Sequence, residues 1–297
     1  MDSLKALLPI IIQAGVATLI LCVGLDSTRD DVLYLARRPR QLARAFVAIS
    51  IVPPAAAVLV TSVLPLPLPA KIGVILMALS PVPPFVPGSV LRGGGRRAYG
   101  YGLYAAFAVL TVIIVPATVQ ALNWLYGASA EVSLRTLGIM VLGSVLAPLA
   151  VGMAVRARRP ELAAAAAPAI SKLALVLLLA ILVLLIIGAW PAMMALIGDG
   201  TVLAVVAISL AAIAAGHLMG GPDPRDEVAL ATAAATRHPG IALMVANGLA
   251  PDKRVAAMII LYVLVSFTTV ALYQAALKRR AKRKTKTRGR AAARGPR

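Results

Sequence analysis

Nine apolar runs, each close to twenty residues long, divide this chain and decide the solvent in which it folds. They lie at about 6–25, 44–64, 71–91, 98–124, 132–155, 171–189, 200–219, 226–249 and 255–277. A helix rises about 1.5 Å per residue, so roughly 20 residues cross the ~30 Å hydrocarbon core of a bilayer. The runs are rich in Leu and Ala on all faces and show no period-two alternation, which argues against the strands of a membrane barrel. Sixty per cent of the 297 residues are hydrophobic and the mean hydropathy is +0.90, more apolar surface than a soluble protein of this size could hide from water. The expected fold class is an all-α membrane protein of about nine transmembrane helices. The first run is read as a span, not a cleaved signal, because it is long and ends without an Ala-x-Ala site. The single cysteine, Cys22, rules out an intramolecular disulfide and is read as packing.

Charge gives the orientation. Loops on one side of the nine runs carry 24 Lys and Arg residues, among them Arg37, Arg38, Arg40, Arg92, Arg96, Arg97, Arg156 and Arg158; the other side carries five, Lys5, Lys71, Arg135, Lys253 and Arg254. Positive loops stay cytoplasmic, so the expected protein sits in the inner membrane with its amino terminus external and its carboxyl terminus inside. Eleven of the basic residues crowd into 278–297, which explains much of the +19 net charge without a nucleic-acid partner. That tail is expected to be a disordered cytoplasmic topology anchor. Residues 1–277 then form one transmembrane unit.

Two of the runs are broken near their middles. The third is interrupted by Ser80-Pro81-Val82-Pro83-Pro84-Phe85-Val86-Pro87-Gly88, followed by Ser89, where four prolines remove four backbone donors. The eighth is interrupted by Thr236-Arg237-His238-Pro239-Gly240, which holds the one charged side chain near the middle of any run. Irregular backbone at membrane depth must face protein or a water-filled cavity. The two broken runs are five positions apart, an odd number, so they cross the membrane in opposite directions. This predicts two inverted repeats, a shortened one at 1–127 and a second at 128–277, with the substrate site at the midplane where the breaks meet. The expected helix breaks are Pro81, Pro83, Pro84, Pro87, Gly88, Pro239 and Gly240. The expected substrate-binding residues are Arg237, His238, Thr236, Gly240, Ser80, Pro83, Pro84, Pro87, Gly88 and Ser89.

Arg237 stands about 17 Å from either face at helical rise, too deep to snorkel, and no run offers it a carboxylate. Two readings stay open: it binds an anionic substrate group in a bidentate fork, or it bonds to carbonyls freed at the breaks. His238 beside it is read as a substrate hydrogen bond or a proton carrier, and His217 as an interfacial residue.

The Val23-Gly24-Leu25 close of the first span, the Ser80-Pro81 start of the first break and the Gly240-Ile241-Ala242-Leu243 exit from the second resemble the bile acid:sodium symporter superfamily, over nearly the whole chain. The resemblance implies a panel domain, a core domain with two crossed discontinuous helices, and organic anions as cargo. The nine-span form with an external amino terminus is similar to members that lack a first helix. Where that family shows Glu-x-Gly-x-Gln-Asn-x-Gly, this chain reads Ala233-Ala234-Ala235-Thr236-Arg237-His238-Pro239-Gly240. Ala233 thus replaces the sodium-binding carboxylate and Arg237-His238 the Gln-Asn pair. The family's Ser-Asn pair falls near Val86-Pro87, which offer no side-chain oxygen.

The expected function is therefore a secondary transporter moving a small organic anion by alternating access, without the family's sodium ligands. Alternatives are a sodium-coupled carrier using backbone ligands, a proton-coupled one, and a non-transporting sensor or scaffold on the same fold. Two histidines without a third ligand make no metal site, and no acidic group orients a histidine for catalysis, so neither a metal, a cofactor nor an enzymatic reaction is expected. The partners expected are the lipid bilayer and the solute; oligomeric state is not legible.

Overall fold

The computed structural model describes residues 2–126, 138–139, 142–249 and 252–292. All regular structure among them is helical. Six stretches of the described residues are long and apolar enough to cross a membrane: Pro39–Val63, Arg97–Ala117, Pro160–Met194, Thr201–Met219, Pro224–Gly248 and Lys253–Arg280. Gln13–Asp26 and Leu68–Leu79 are shorter apolar helices. The expected fifth span, 132–155, lies in part outside the described residues.

In chain order the helices are α1 (Asp2–Asp26), α2 (Arg29–Ala36), α3 (Pro39–Phe46), α4 (Val52–Val63), α5 (Leu68–Leu79), α6 (Val86–Gly93) and α7 (Arg97–Tyr126). They continue with α8 (Ala147–Arg158), α9 (Pro160–Met194), α10 (Thr201–Met219), α11 (Pro224–Ala235), α12 (Pro239–Leu249) and α13 (Lys253–Ala292). One π-helical turn, Val47–Ile51, joins α3 to α4 without interrupting the span.

Helices α1, α8 and α9 pack on one another. The contact between α1 and α8 is backbone on backbone: a Cβ added at Gly24 would stand 2.9 Å from the Gly152 Cα, too close for any side chain. Small residues at helix crossings bring membrane helices this near, where dispersion replaces the missing hydrophobic drive. Helix α9 is the least buried of the six long stretches and shows Leu173, Val176, Leu177, Leu184 and Ile187 on its surface, a lipid-facing exterior. The stretch through α11 and α12 is the most buried. Around it pack α5, α6, α7, α10, α13 and the π-helical turn Val47–Ile51.

Helix α9 opens with a run of five alanines, of which Ala163 and Ala167 are buried against Leu25 of α1. Two expectations change. The tail expected to be disordered continues α13 as helix to Ala292. Ala, Lys and Arg are good helix formers, and adding residues to an existing helix avoids the nucleation cost. The breaks are also shorter than the proline pattern suggests. Pro87 and Gly88 lie in the first turn of α6, and Pro239 and Gly240 open α12. A first-turn N–H has no intrahelical acceptor, so a proline there loses nothing. The interrupted backbone is 80–85 and 236–238.

Candidate functional site

The two breaks meet. The His238 N–H donates to the Pro81 carbonyl at 3.0 Å, and the Ser80 Oγ–H donates to the His238 carbonyl at 2.6 Å. Helix α5 packs on α12 and α6 packs on α11, so the two broken helices run side by side in opposite directions with their interruptions in register. At the far ends of α6 and α11 a second tie forms. Arg96, just past α6, is ion-paired with Asp223, the N-cap residue of α11, and with Asp226 at 2.8 Å. Its amide also donates to the Arg225 carbonyl. The Asp223 carboxyl accepts the Arg225 amide N–H, which first of all, with Arg225 and Arg96 nearby, holds it below the usual carboxylate range.

Arg237 is buried and its guanidinium is engaged by main-chain carbonyls alone. Nη1 donates to Ser80 O at 3.1 Å; Nη2 donates to Ile49 O and to Ala234 O, both at 2.8 Å. Each of these carbonyls has lost its helical donor to proline or to the break. For Ile49 the donors four and five residues on would be Pro53 and Pro54; for Ser80, three and four on, Pro83 and Pro84. Ala234 would be served by His238, whose N–H is turned to Pro81, or by Pro239. Buried backbone acceptors must be paired, and one charged fork pairs three from three segments of chain. Of the two readings of Arg237, bonding to freed carbonyls is the one these contacts fill.

A cavity of about 470 Å³ adjoins the breaks. The break at 236–238 is extended, with Thr236 at φ −103°, ψ 129°, so neighbouring side chains alternate in direction. Thr236 and His238 accordingly line the cavity, while Arg237 between them does not. From the first break come Pro83, Pro84 and Phe85, and from α6 Ser89 and Arg92. The opposite wall is apolar, built by Leu178, Leu182 and Leu185 of α9 with Leu19 of α1. Of the expected site residues, Thr236, His238, Gly240, Pro83, Pro84 and Ser89 are gathered here. Ser80, Pro87, Gly88 and Arg237 are not on this wall; Ser80 and Pro81 line a separate void of about 10 Å³.

Sequence reading missed Arg92, Phe85, Phe267 and Gln274 as wall residues. Phe85, Ser89 and Arg92 fall at i, i+4 and i+7, one face of α6, a spacing that could have marked the arginine as more than a loop charge. Arg92 is exposed and is the one charged residue on the wall. Phe85 meets Phe267 of α13 edge to face, with centroids 5.2 Å apart. Gln274 Nε2 donates to Ser89 O and to Thr232 Oγ1, each at 3.2 Å, and so ties α13 to both broken helices. His217, expected at an interface, is held between Tyr273 (3.0 Å) and Glu227 (3.3 Å).

An all-helical membrane protein with two broken helices meeting beside a solute-sized cavity belongs to the class of secondary transporters in its architecture. The model of the Sodium Bile acid symporter family matches residues 14–196, more than half the chain, and the protein belongs to that family. The matched stretch contains the first break and stops short of the second. No curated protein matches the chain.

Proposed function

We propose that the protein moves a small amphipathic organic anion across the inner membrane by alternating access, and that it does so without sodium. The carrying observation is the guanidinium of Arg237, which fills the cluster of freed carbonyls at the crossing of the breaks. Sodium prefers hard oxygen ligands; three carbonyls of the crossing are taken by the guanidinium, and Ala233, Val86 and Pro87 have no oxygen in their side chains. A fixed cation there also repels a mobile one, by about 3 kcal/mol at 5 Å with an effective dielectric near 20. In this reading Arg237 is a tethered counterpart of a coupling ion, always in place.

The amphipathic cargo is supported by the cavity, apolar on the α9 side and charged only at Arg92. The lining runs from the breaks to Arg92 at the end of α6, the side that charge bias assigns to the cytoplasm, and an inward-facing state is part of the same proposal. The nine-span count, two inverted repeats and an external amino terminus belong to the same proposal. Alternating access then consists of α1, α8 and α9 rocking against the bundle that holds the broken helices.

Uptake of radiolabelled organic anions into proteoliposomes, with sodium replaced by choline at fixed pH and potential, tests this. Uptake at an unchanged rate is expected. A rate that collapses in choline and rises with an inward sodium gradient would show that backbone ligands still hold sodium. Binding of anions to purified protein with no flux in any gradient would mark a sensor on a transporter fold.

A further inference from the structure

His238 carries a feature that the transport reading does not use. Its Nδ1 accepts the Ile241 amide N–H at 3.3 Å, which assigns the ring proton of the neutral imidazole to Nε2. That Nε2 is buried and has no hydrogen-bond partner. Apart from Arg96 Nε and Asp226 Oδ1, which face each other in an ion pair, six side-chain atoms are in this condition among the described residues, and His238 alone of their owners lines the cavity. A buried donor without an acceptor is costly and rare, so a donor in a cavity wall calls for an acceptor that arrives with a ligand. The residue is also held in place to give one. Its N–H and C=O are both bonded to the first break, through Pro81 and Ser80. The bond at Nδ1 is long, so a rotation of the ring that turns Nε2 to a ligand in the cavity gives up little.

We infer that His238 is a specificity-determining residue which reads, through Nε2–H, a neutral hydrogen-bond acceptor on the cargo at the end opposite its charge. The inference rests on the anion reading of the cavity given above. Arg92 stands about two turns along α6 from the first break, roughly 10 Å at helical rise, and the breaks meet at His238. The ligand class is therefore a rigid apolar body with an anionic group at one end and a carbonyl-type oxygen roughly 10 Å away. Thr236, the other polar residue of the second break on this wall, is no rival for the role, because its Oγ1 hydrogen is given to Thr232 O at 2.6 Å.

The test uses two probes that differ in one oxygen, 6-acetyl-2-naphthoate and 6-ethyl-2-naphthoate, titrated calorimetrically into the full-length protein in nanodiscs. The parent is expected to favour the acetyl compound about fivefold, the discrimination of one neutral hydrogen bond. His238→Gln, which keeps a donor near the Nε2 position, retains the preference. His238→Leu equalises the two by weakening only the acetyl compound, and His238→Phe serves in its place should the leucine variant unfold on heating earlier than the parent. Equal binding of both probes to the parent, or an undiminished preference in the donor-free variants, overturns the role of His238 and leaves the anion cavity standing. Failure of both probes to bind the parent overturns the cavity reading and this inference with it.

Discussion

The two breaks look alike in sequence, both proline-marked and mid-run, yet they are chemical opposites. The first, 80–85, is a source of acceptors: with Pro81, Pro83 and Pro84 in it, carbonyls outnumber amide donors, and Ser80 O and Pro81 O point their need outward. The second, 236–238, is a source of donors: the His238 N–H, the Arg237 fork and the His238 ring. Each break is unsatisfiable alone in a medium without water, and the pair is nearly satisfied together. The difference teaches that a broken helix in a membrane is not a weakness to be tolerated but half of a contact, and that its partner can be sought by donor and acceptor count.

If that complementarity holds the crossing together, its removal should be the most damaging change available. Arg237→Ala leaves Ile49 O, Ser80 O and Ala234 O buried without donors, at about 1–3 kcal/mol each. The expected outcome is little or no monodisperse protein, or a melting temperature lowered by more than about 10 °C. Arg237→Lys, a point charge in place of a fork, should lie between that and the parent. A parent-like melt of Arg237→Ala would break the comparison outright.

A subtler change should sharpen it. Replacing Pro53 and Pro54 by Ala returns donors to Ile49 O within its own helix. In the Arg237→Ala background this should recover about 1–2 kcal/mol, one carbonyl's share, while in the parent it should be nearly neutral or harmful. Additive effects in the double-mutant cycle would mean that proline and arginine are not linked through that carbonyl.

The clasp at the other end of α6 and α11 lies outside the crossing and should matter less. Arg96→Ala removes the partner of Asp223 and of Asp226, whose side chain is 3 % exposed while that of Arg96 is 33 % exposed. A cost of about 2 kcal/mol is expected, between that of a surface pair and a buried one, read as a melting shift of a few degrees. Loss of the fold on this substitution would place the main tie at the clasp instead of the breaks.

How much of this could be read from sequence follows from what periodicity and proline encode. The apolar runs and both breaks were legible because their causes are local: missing N–H groups and uninterrupted Leu and Ala. The resemblance to the family was legible in the motifs flanking the breaks, and the family match supports it. The acceptors of Arg237 were half legible, since Pro-Pro pairs stand four residues after Ile49 and three after Ser80. That those carbonyls lie beside residue 237 depends on contacts across 188 and 157 positions, which no local pattern carries. The direction of Arg237 was hidden for another reason. A charge next to a histidine in a break suggests one site, but in extended backbone adjacent residues face opposite ways. The helical course of 278–292 was missed because charge was weighed above helix propensity.

The smallest structural effect, and the sharpest contrast with Arg237, belongs to the arginine on the cavity wall. Arg92 is exposed, sits in the last turn of α6 and makes no ion pair or hydrogen bond among the described residues. Replacing it by Gln deletes a charge without orphaning a buried group, so the melting temperature should stay within about 1 °C of the parent. Its loss should be felt in binding, because an anion entering the cavity gives up hydration and finds only this charge on the wall. A charged hydrogen bond contributes about 1.5–3 kcal/mol, so affinity for both naphthoates should fall tenfold or more, equally for each. Two arginines seven residues past one break and inside the other would thus divide the work cleanly, one holding the crossing and the other meeting the cargo. An Arg92→Gln protein that binds both probes as tightly as the parent, with Arg237→Lys losing affinity at an unchanged melting temperature, would reverse the assignment and restore Arg237 as the residue that receives the anion.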